Sequence, residues 1–370
     1  MDFSLSAEQL LVRRTFFDFA RQQIRPVAQK LDEEPQFPTA IFRRAGELGF
    51  FGMRYPEPDG NSASTLTYLL AVEELAWGSL AVAACCTMQS LMGTHFLHRF
   101  APPSVRDRLL LPALAGEKIG TICMTEPDAG SDLLSIKTRA EAVGEKFLVT
   151  GSKTWITSAP VADFFTVFAK TGEKTLGVFL LERGTPGVSV GKPIHKHGVR
   201  SSLTSEVFFE SAEATCVLGE YDRGVSYLRE ILAEVRVMTA GLALGIGRAA
   251  FEDARLWSSQ RIQFGKPIEQ HQSVAAHLAM MATQLEAARR LTYYAAWRSD
   301  QKLQNSKEAS MAKLFATEAA HLICDKAARV AASHGFAAES SIQRYHRDVQ
   351  FLLFGGGTTE ILLHNIAREL

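Results

Sequence analysis

Lys146-Phe147-Leu148-Val149-Thr150-Gly151-Ser152-Lys153-Thr154-Trp155-Ile156-Thr157 is the stretch on which the reading of the fold turns. Its β-branched and aromatic residues on either side of Gly151-Ser152 predict two strands about a turn. Side chains alternate along a strand, so Trp155 and Thr157 are expected on one face. Further strands are predicted at Phe164–Phe168, Leu176–Leu181, Val188–Val190 and Val207–Phe209, separated by turns such as Thr185-Pro186-Gly187. That spacing points to a small antiparallel barrel or sandwich.

Outward from this block the period is helical in both directions. Ser6-Ala7-Glu8-Gln9 reads as a helix start, followed by Leu10, Leu11, Phe16, Phe17 and Phe19 at close to helical spacing. Leu66 to Phe100 reads as a mostly apolar pair of helices, which implies deep burial. After Tyr221 the set Leu278, Met281, Leu285, Ala288 and Leu291 marks one face of a long helix. The expected fold is mainly α with a middle β-domain: an N-terminal helical domain over 1–118, a β-domain over 119–220 and a C-terminal helical bundle over 221–370.

Bulk properties narrow the partners. Lysine plus arginine equals aspartate plus glutamate at 40 each, so no net field draws the chain to nucleic acid or an anionic membrane. Cys85, Cys86, Cys123, Cys216 and Cys324 fall in no metal-binding spacing, and their odd number argues against a complete disulfide framework. No metal site is expected. The segment Met1 to Leu11, with Asp2 and Glu8, lacks a signal pattern, and no apolar run is read as reaching the ~20 residues that cross a bilayer. A cytoplasmic location is the expectation.

Three segments carry chemistry. In Met124-Thr125-Glu126-Pro127-Asp128-Ala129-Gly130-Ser131-Asp132, Gly130 lets backbone approach a ligand, while Thr125 and Ser131 offer hydroxyl donors; a plain polar loop is the alternative. Trp155 beside Thr157 suits a flat aromatic ligand that needs stacking and one hydrogen bond, or simply a core. Arg261-Ile262-Gln263-Phe264-Gly265-Lys266-Pro267, followed by Gln272, interrupts two long helices with groups able to hold a diphosphate and an adenine.

Taken together, TEPDAGSD (Thr125–Asp132), KTWIT (Lys153–Thr157), RIQFGKPIEQHQ (Arg261–Gln272), RYHRD (Arg344–Asp348) and GTTEI (Gly357–Ile361) resemble the acyl-CoA dehydrogenase family along essentially the whole chain. The resemblance implies an N-terminal helical domain, a middle β-domain and a C-terminal four-helix bundle. It also implies non-covalent FAD, a homotetramer built from dimers, and α,β-dehydrogenation of an acyl thioester on coenzyme A or a carrier protein. An electron acceptor such as electron-transfer flavoprotein would complete the cycle. By position, Met124 and Thr125 would contact the flavin ring, and Ser131 the cofactor or substrate phosphates. Trp155 would pack by the isoalloxazine with Thr157 near N5. Arg261, Phe264 and Gln272 would hold the ADP half from a neighbouring subunit, and Thr358 would make a further FAD contact.

The chain departs from the family where a base is needed. A thioester α-proton is weakly acidic, so its removal calls for a positioned carboxylate. Most relatives place a glutamate directly before the Gly-Thr of the last motif, where this chain has Gly356. A minority place it on an earlier helix just before an arginine, where this chain has Val235 before Arg236. Glu234, one residue away, is the candidate for a displaced base, and the Gly356 N–H can still meet a developing oxyanion on substrate. A second departure lies at Arg329, Ala332 and Ser333, where relatives carry Gln-x-x-Gly-Gly; Arg329 and Ser333 are the candidates for an altered cofactor contact. A flavin monooxygenase on the same fold, or a catalytically incomplete partner subunit, are the alternative functions.

Overall fold

The computed structural model describes residues 4–370; the part of the N-terminal reading that used Asp2 lies outside the described residues. Lys146–Thr157 is one continuous strand of 12 residues, not a hairpin. No turn forms at Gly151-Ser152; the strand runs on through them, and the register shift between Val149 and Gly151 is a β-bulge on the partner strand, where Glu210 and Ser211 stand opposite Thr150. Gly151, at φ 149°, passes so close to Thr138 that a Cβ would stand 2.6 Å from its Cα. The true hairpin turn is Gly144-Glu145, because Val143 pairs directly with Lys146.

The strands are β1 (Gly120–Cys123), β2 (Arg139–Val143), β3 (Lys146–Thr157), β4 (Phe164–Lys170), β5 (Leu176–Glu182), β6 (Val188–Val190), β7 (Thr204–Glu213) and β8 (Cys216–Val217). They form one sheet in the order β6-β7-β3-β2-β4-β5-β8, with β1 beside β4. It is mixed rather than wholly antiparallel, since β4 runs parallel to both β1 and β2. β4 is buried on both faces: Phe165 and Val167 belong to the sheet's own core with Phe179 and Phe209, while Phe164 and Phe168 join the helical core. That is why its sequence reads as an unbroken apolar run.

The principal helices are α1 (Ala7–Phe19), α2 (Thr65–Gly78), α3 (Leu80–Met88), α4 (Gly224–Gln260), α5 (Gln272–Asp300), α6 (Ser306–Ala331), α7 (Ser341–Asp348) and α8 (Thr359–Ala367). A capping box starts α1: the Gln9 N–H donates to Ser6 Oγ at 3.2 Å and the Ser6 N–H to Gln9 Oε1 at 2.9 Å. By length and composition alone the helical stretch Leu80–Phe100 could cross a bilayer, which the sequence reading did not expect, but its apolar 18-residue section is 89% buried inside the fold. It is a core element. The helix α2 crosses α4 so closely that a Cβ at Gly245 would stand 2.3 Å from the Glu73 carbonyl. Buried carboxylates fix that crossing: Glu74 takes the Arg248 fork and Glu73 accepts from Arg289 at 3.0 Å.

Two features of the frame give testable results. Ala332, closing α6, holds φ 52° and ψ −131°, a conformation that costs an L side chain of order 1–3 kcal/mol. Ala332→Gly should therefore raise the unfolding midpoint, by roughly 1 kcal/mol of added stability in denaturant titration. The buried Asp348 accepts the Val199 N–H at 2.6 Å, tying α7 to the loop before β7. Burial pushes its carboxyl up to about 6, against the attraction of Arg344. A carboxyl raised in the folded state contributes stability that is complete below its ordinary value of 3.8 and is lost as pH rises through about 6. Asp348→Asn should flatten the stability–pH curve across that window; an unchanged slope would contradict the assignment.

Candidate active site

A second bulge, this one in β3 between Lys153 and Ile156, builds the first wall of the site. Within it Trp155 sits at φ 59°, an outlier for a bulky residue, and its indole is 58% exposed. The same twist turns Lys153 inward to 0% exposure, where its ammonium donates to the Met124 carbonyl at 2.9 Å and to Glu126 Oε1 at 2.8 Å. Glu126 also accepts the backbone N–H groups of Lys137 at 2.5 Å and Thr138 at 2.9 Å. Burial raises the Glu126 carboxyl, but these donors outweigh it and hold the group below the usual range. The Thr154 N–H reaches the Thr125 carbonyl at 2.9 Å, so Met124 and Thr125 are laced along the bulge that presents Trp155. Thr121 Oγ1 donates to the Thr157 carbonyl at 2.6 Å and fixes the strand's far end. Ser131 is exposed, and a side chain at Gly130 would meet no protein atom, so the space before this loop is open.

The second element is a small hairpin after α4. Ile262–Gln263 pairs with Lys266–Pro267 about Phe264-Gly265, both at positive φ (51° and 78°), the signature of a type I′ turn. Phe264 is thereby thrust out to 94% exposure, flanked by the exposed Arg261 and by Gln272 at the start of α5. Among the described residues, no hydrogen bond or ring contact joins this hairpin to Trp155 or the Thr125 loop. Arg329 lies at the end of α6, exposed and paired with Asp325 at 2.8 Å, next to the strained Ala332 and the exposed Ser333.

The third element is the glycine segment before α8. Gly356 and Gly357 hold φ 72° and 109°, and Thr358 caps the helix by accepting the Ile361 N–H at 3.3 Å. From α6, the buried Lys313 donates to the carbonyls of Gly357 at 2.8 Å and Leu353 at 3.3 Å; burial pushes its ammonium down to about 8. A Cβ built on Gly356 would stand 3.0 Å from Thr239 Oγ1 and 3.7 Å from Val235 Cγ1. Gly356 and Val235, 121 positions apart in the chain, therefore border one space, and neither offers an acid.

Glu234 is about 100° further round α4 from Val235. Both its oxygens are taken by the Arg54 guanidinium, Nε donating to Oε1 at 2.7 Å and Nη2 to Oε2. Arg54 also contacts His95 Nδ1 at 3.2 Å; burial, then the Arg54 charge, pushes that imidazole down to about 3, so it stays neutral. Glu234 and Arg54 line a polar cavity of about 400 Å³ with Tyr68, Glu230 and Asn305.

Family models describing the N-terminal, middle and C-terminal domains of acyl-CoA dehydrogenases match residues 6–117, 121–212 and 222–370. The chain belongs to the acyl-CoA dehydrogenase family. It is 52% identical over 375 residues to benzylmalonyl-CoA dehydrogenase of Aromatoleum aromaticum, covering 100% of both chains. Butyryl-CoA dehydrogenase from Megasphaera elsdenii superposes with a TM-score of 0.96 at 31% identity, covering 100% of this chain and 99% of that one. A chain solved with the electron transferring flavoprotein of Acidaminococcus fermentans does so at 0.96 and 30%, covering 100% and 99%.

This acyl-CoA dehydrogenase is thus a flavin oxidoreductase acting on CH–CH bonds of acyl thioesters, with FAD as its cofactor. The residues present fit that group. Two large aromatics, Trp155 and Phe264, are held exposed at positive φ, strain that folding alone does not reward. The capped N-terminus of α8 and the exposed Arg261 add donors suited to a diphosphate. Sequence reasoning missed Lys153, Glu126, Lys313 and Arg54. Lys153 alone had a signal, since a lysine inside a strand rich in β-branched and aromatic residues stands out; the others find their partners only through the fold.

Proposed function

We propose that this enzyme oxidises an acyl thioester bearing a carboxylate on its α-carbon, of the benzylmalonyl-CoA type, and that loss of CO2 replaces removal of the α-proton. The carrying observation is that Gly356 and Val235 face one another, a Cβ on Gly356 standing 3.7 Å from Val235 Cγ1, so the two positions where a base is expected meet at one place and neither carries an acid. The electron count closes without a base. The C–CO2 bond breaks and its pair becomes the new Cα=Cβ bond, while the β-hydrogen leaves with its own pair. CO2 departs neutral and the single negative charge leaves with the hydride, so no proton moves. FAD, when bound, accepts that hydride.

The chain's own residues then have defined tasks. Trp155 and Thr157 would hold the flavin ring that supplies hydride acceptance, with Met124, Thr125 and Ser131 as further contacts. Arg261, Phe264 and Gln272 of a neighbouring subunit would hold the ADP half, Thr358 would add a contact, and Arg329 and Ser333 would supply an altered one. The Gly356 N–H meets the thioester oxygen as charge moves onto it. Glu234 is assigned to Arg54 as a wall of the neighbouring cavity, because taking up an α-proton would break a two-point ion pair. Met280, Leu291, Tyr294 and Trp297 leave apolar surface exposed along α5, which supports assembly as a homotetramer. Electron-transfer flavoprotein is the proposed acceptor.

The test is anaerobic addition of thioester to the FAD-loaded enzyme. Benzylmalonyl-CoA should bleach the flavin and release one CO2 per flavin reduced. 3-Phenylpropanoyl-CoA, the same skeleton without the carboxylate, should bleach it about 10²–10⁴-fold more slowly, the usual worth of a general base. Equal rates would reject the reading.

A further inference from the structure

The helix α4 carries a buried cation with no carboxylate in ion-pair contact among the described residues. Arg236 is only 7% exposed, yet among the described residues no carboxylate lies within 4 Å of it. Its Nη1 donates to Ser310 Oγ at 3.1 Å, and Ser310 passes its own proton to the Ser306 carbonyl at 2.7 Å. Its Nε is buried with no partner. Burial pushes the guanidinium below the ordinary arginine range; only Glu369, beyond ion-pair reach, opposes this. The other cation nearby is the buried Lys313, one turn along α6 from Ser310, which adds to the positive field. An isolated buried charge is unfavourable unless something pairs with it.

Its position says what that partner is. Val235 and Thr239 border the space beside Gly356, and Arg236 lies three residues before Thr239 on the same side of α4. Ser310 and Lys313, on one face of α6, reach Arg236 and the Gly357 carbonyl respectively, so the guanidinium and the glycine segment meet the same face of α6.

We infer that Arg236 anchors the substrate's α-carboxylate and thereby selects α-carboxylated thioesters. This rests on the function proposed above. A planar fork on both carboxylate oxygens fixes their angle as well as their place. That angle matters, because the C–CO2 bond must stand across the thioester plane for its electron pair to enter the new π bond. Arg236 is thus a specificity and positioning residue.

Malonyl-CoA and acetyl-CoA differ only by the carboxylate and lack a β-hydrogen, so calorimetric titration of the FAD-loaded enzyme reads anchoring apart from oxidation. Wild type should bind malonyl-CoA at least tenfold more tightly than acetyl-CoA. Arg236→Met should bind the two alike, with an unfolding midpoint equal to or above wild type, since it removes an unpaired buried charge; a structural arginine would lower it. Arg236→Lys, which keeps charge but loses the fork, should retain only part of the preference, and it decides the matter if the methionine variant folds poorly. Full preference in either variant would overturn the anchor while leaving the proposed reaction standing. No preference in wild type would instead reject the α-carboxylate reading itself.

Discussion

Gly356→Glu, made together with Thr239→Ala, should convert the enzyme into a conventional dehydrogenase of uncarboxylated thioesters. The second change is needed because a Cβ at 356 would stand 3.0 Å from Thr239 Oγ1. The new carboxylate would occupy the space shared with Val235 and take the α-proton of 3-phenylpropanoyl-CoA. Turnover of that thioester, followed by flavin bleaching, should rise about 10²–10⁴-fold. Benzylmalonyl-CoA should bind more weakly in the same variant, because two carboxylates would compete for one space. Val235→Glu approaches from the other side of the contact and should give the same change in smaller measure. If wild type already oxidised the uncarboxylated thioester as fast as the variant, a base would be present elsewhere, and Glu234 would return as the candidate.

Lys153→Met should be among the most damaging single substitutions in the middle of the chain. Lys153 and Glu126 are a buried pair, 0% and 5% exposed, and the methionine would leave Glu126 charged and only partly compensated. Breaking such a pair costs about 3–5 kcal/mol; two backbone donors remain on Glu126, so the lower end is expected in denaturant titration. The effect reaches the cofactor. Without the ammonium the Met124 carbonyl loses its donor and the loop through Thr125 and Ser131 is no longer laced to the Trp155 bulge, so the purified variant should retain less FAD. Adding Glu126→Gln should recover part of the stability, because the stranded charge goes with it. Full FAD retention and unchanged stability in the single variant would show that the pair does not position this wall.

Local chemistry nominated side chains for this site, and it stopped short for physical reasons. Trp155 and Phe264 were singled out by their motifs, but what throws them into the open, a bulge that interrupts strand alternation and a type I′ turn, shows only in the fold. The turn expected at Gly151-Ser152 failed because a glycine there also suits a continuous strand passing close to Thr138, and only the pairing with β7 decides between the two. Leu80–Phe100 was read as helix but not as an apolar run of bilayer length, because the polar residues around the π-helix at Gln89–Gly93 interrupt it in the sequence. Glu234 was singled out by its neighbours in the chain, whereas its actual partner, Arg54, is 180 residues away. The contact between Gly356 and Val235 is likewise invisible until the chain folds, and it is what turns two separate substitutions into one chemical statement.

The α-hydrogen itself carries the decisive label. Benzylmalonyl-CoA freshly deuterated at the α-carbon, reacted with the FAD-loaded enzyme in a single anaerobic turnover before solvent exchange, should yield an unsaturated thioester that keeps deuterium at that carbon, because the carboxylate and not the hydrogen is what departs. Product whose α-carbon had lost its deuterium would mean that a base had acted there, and the account would be wrong.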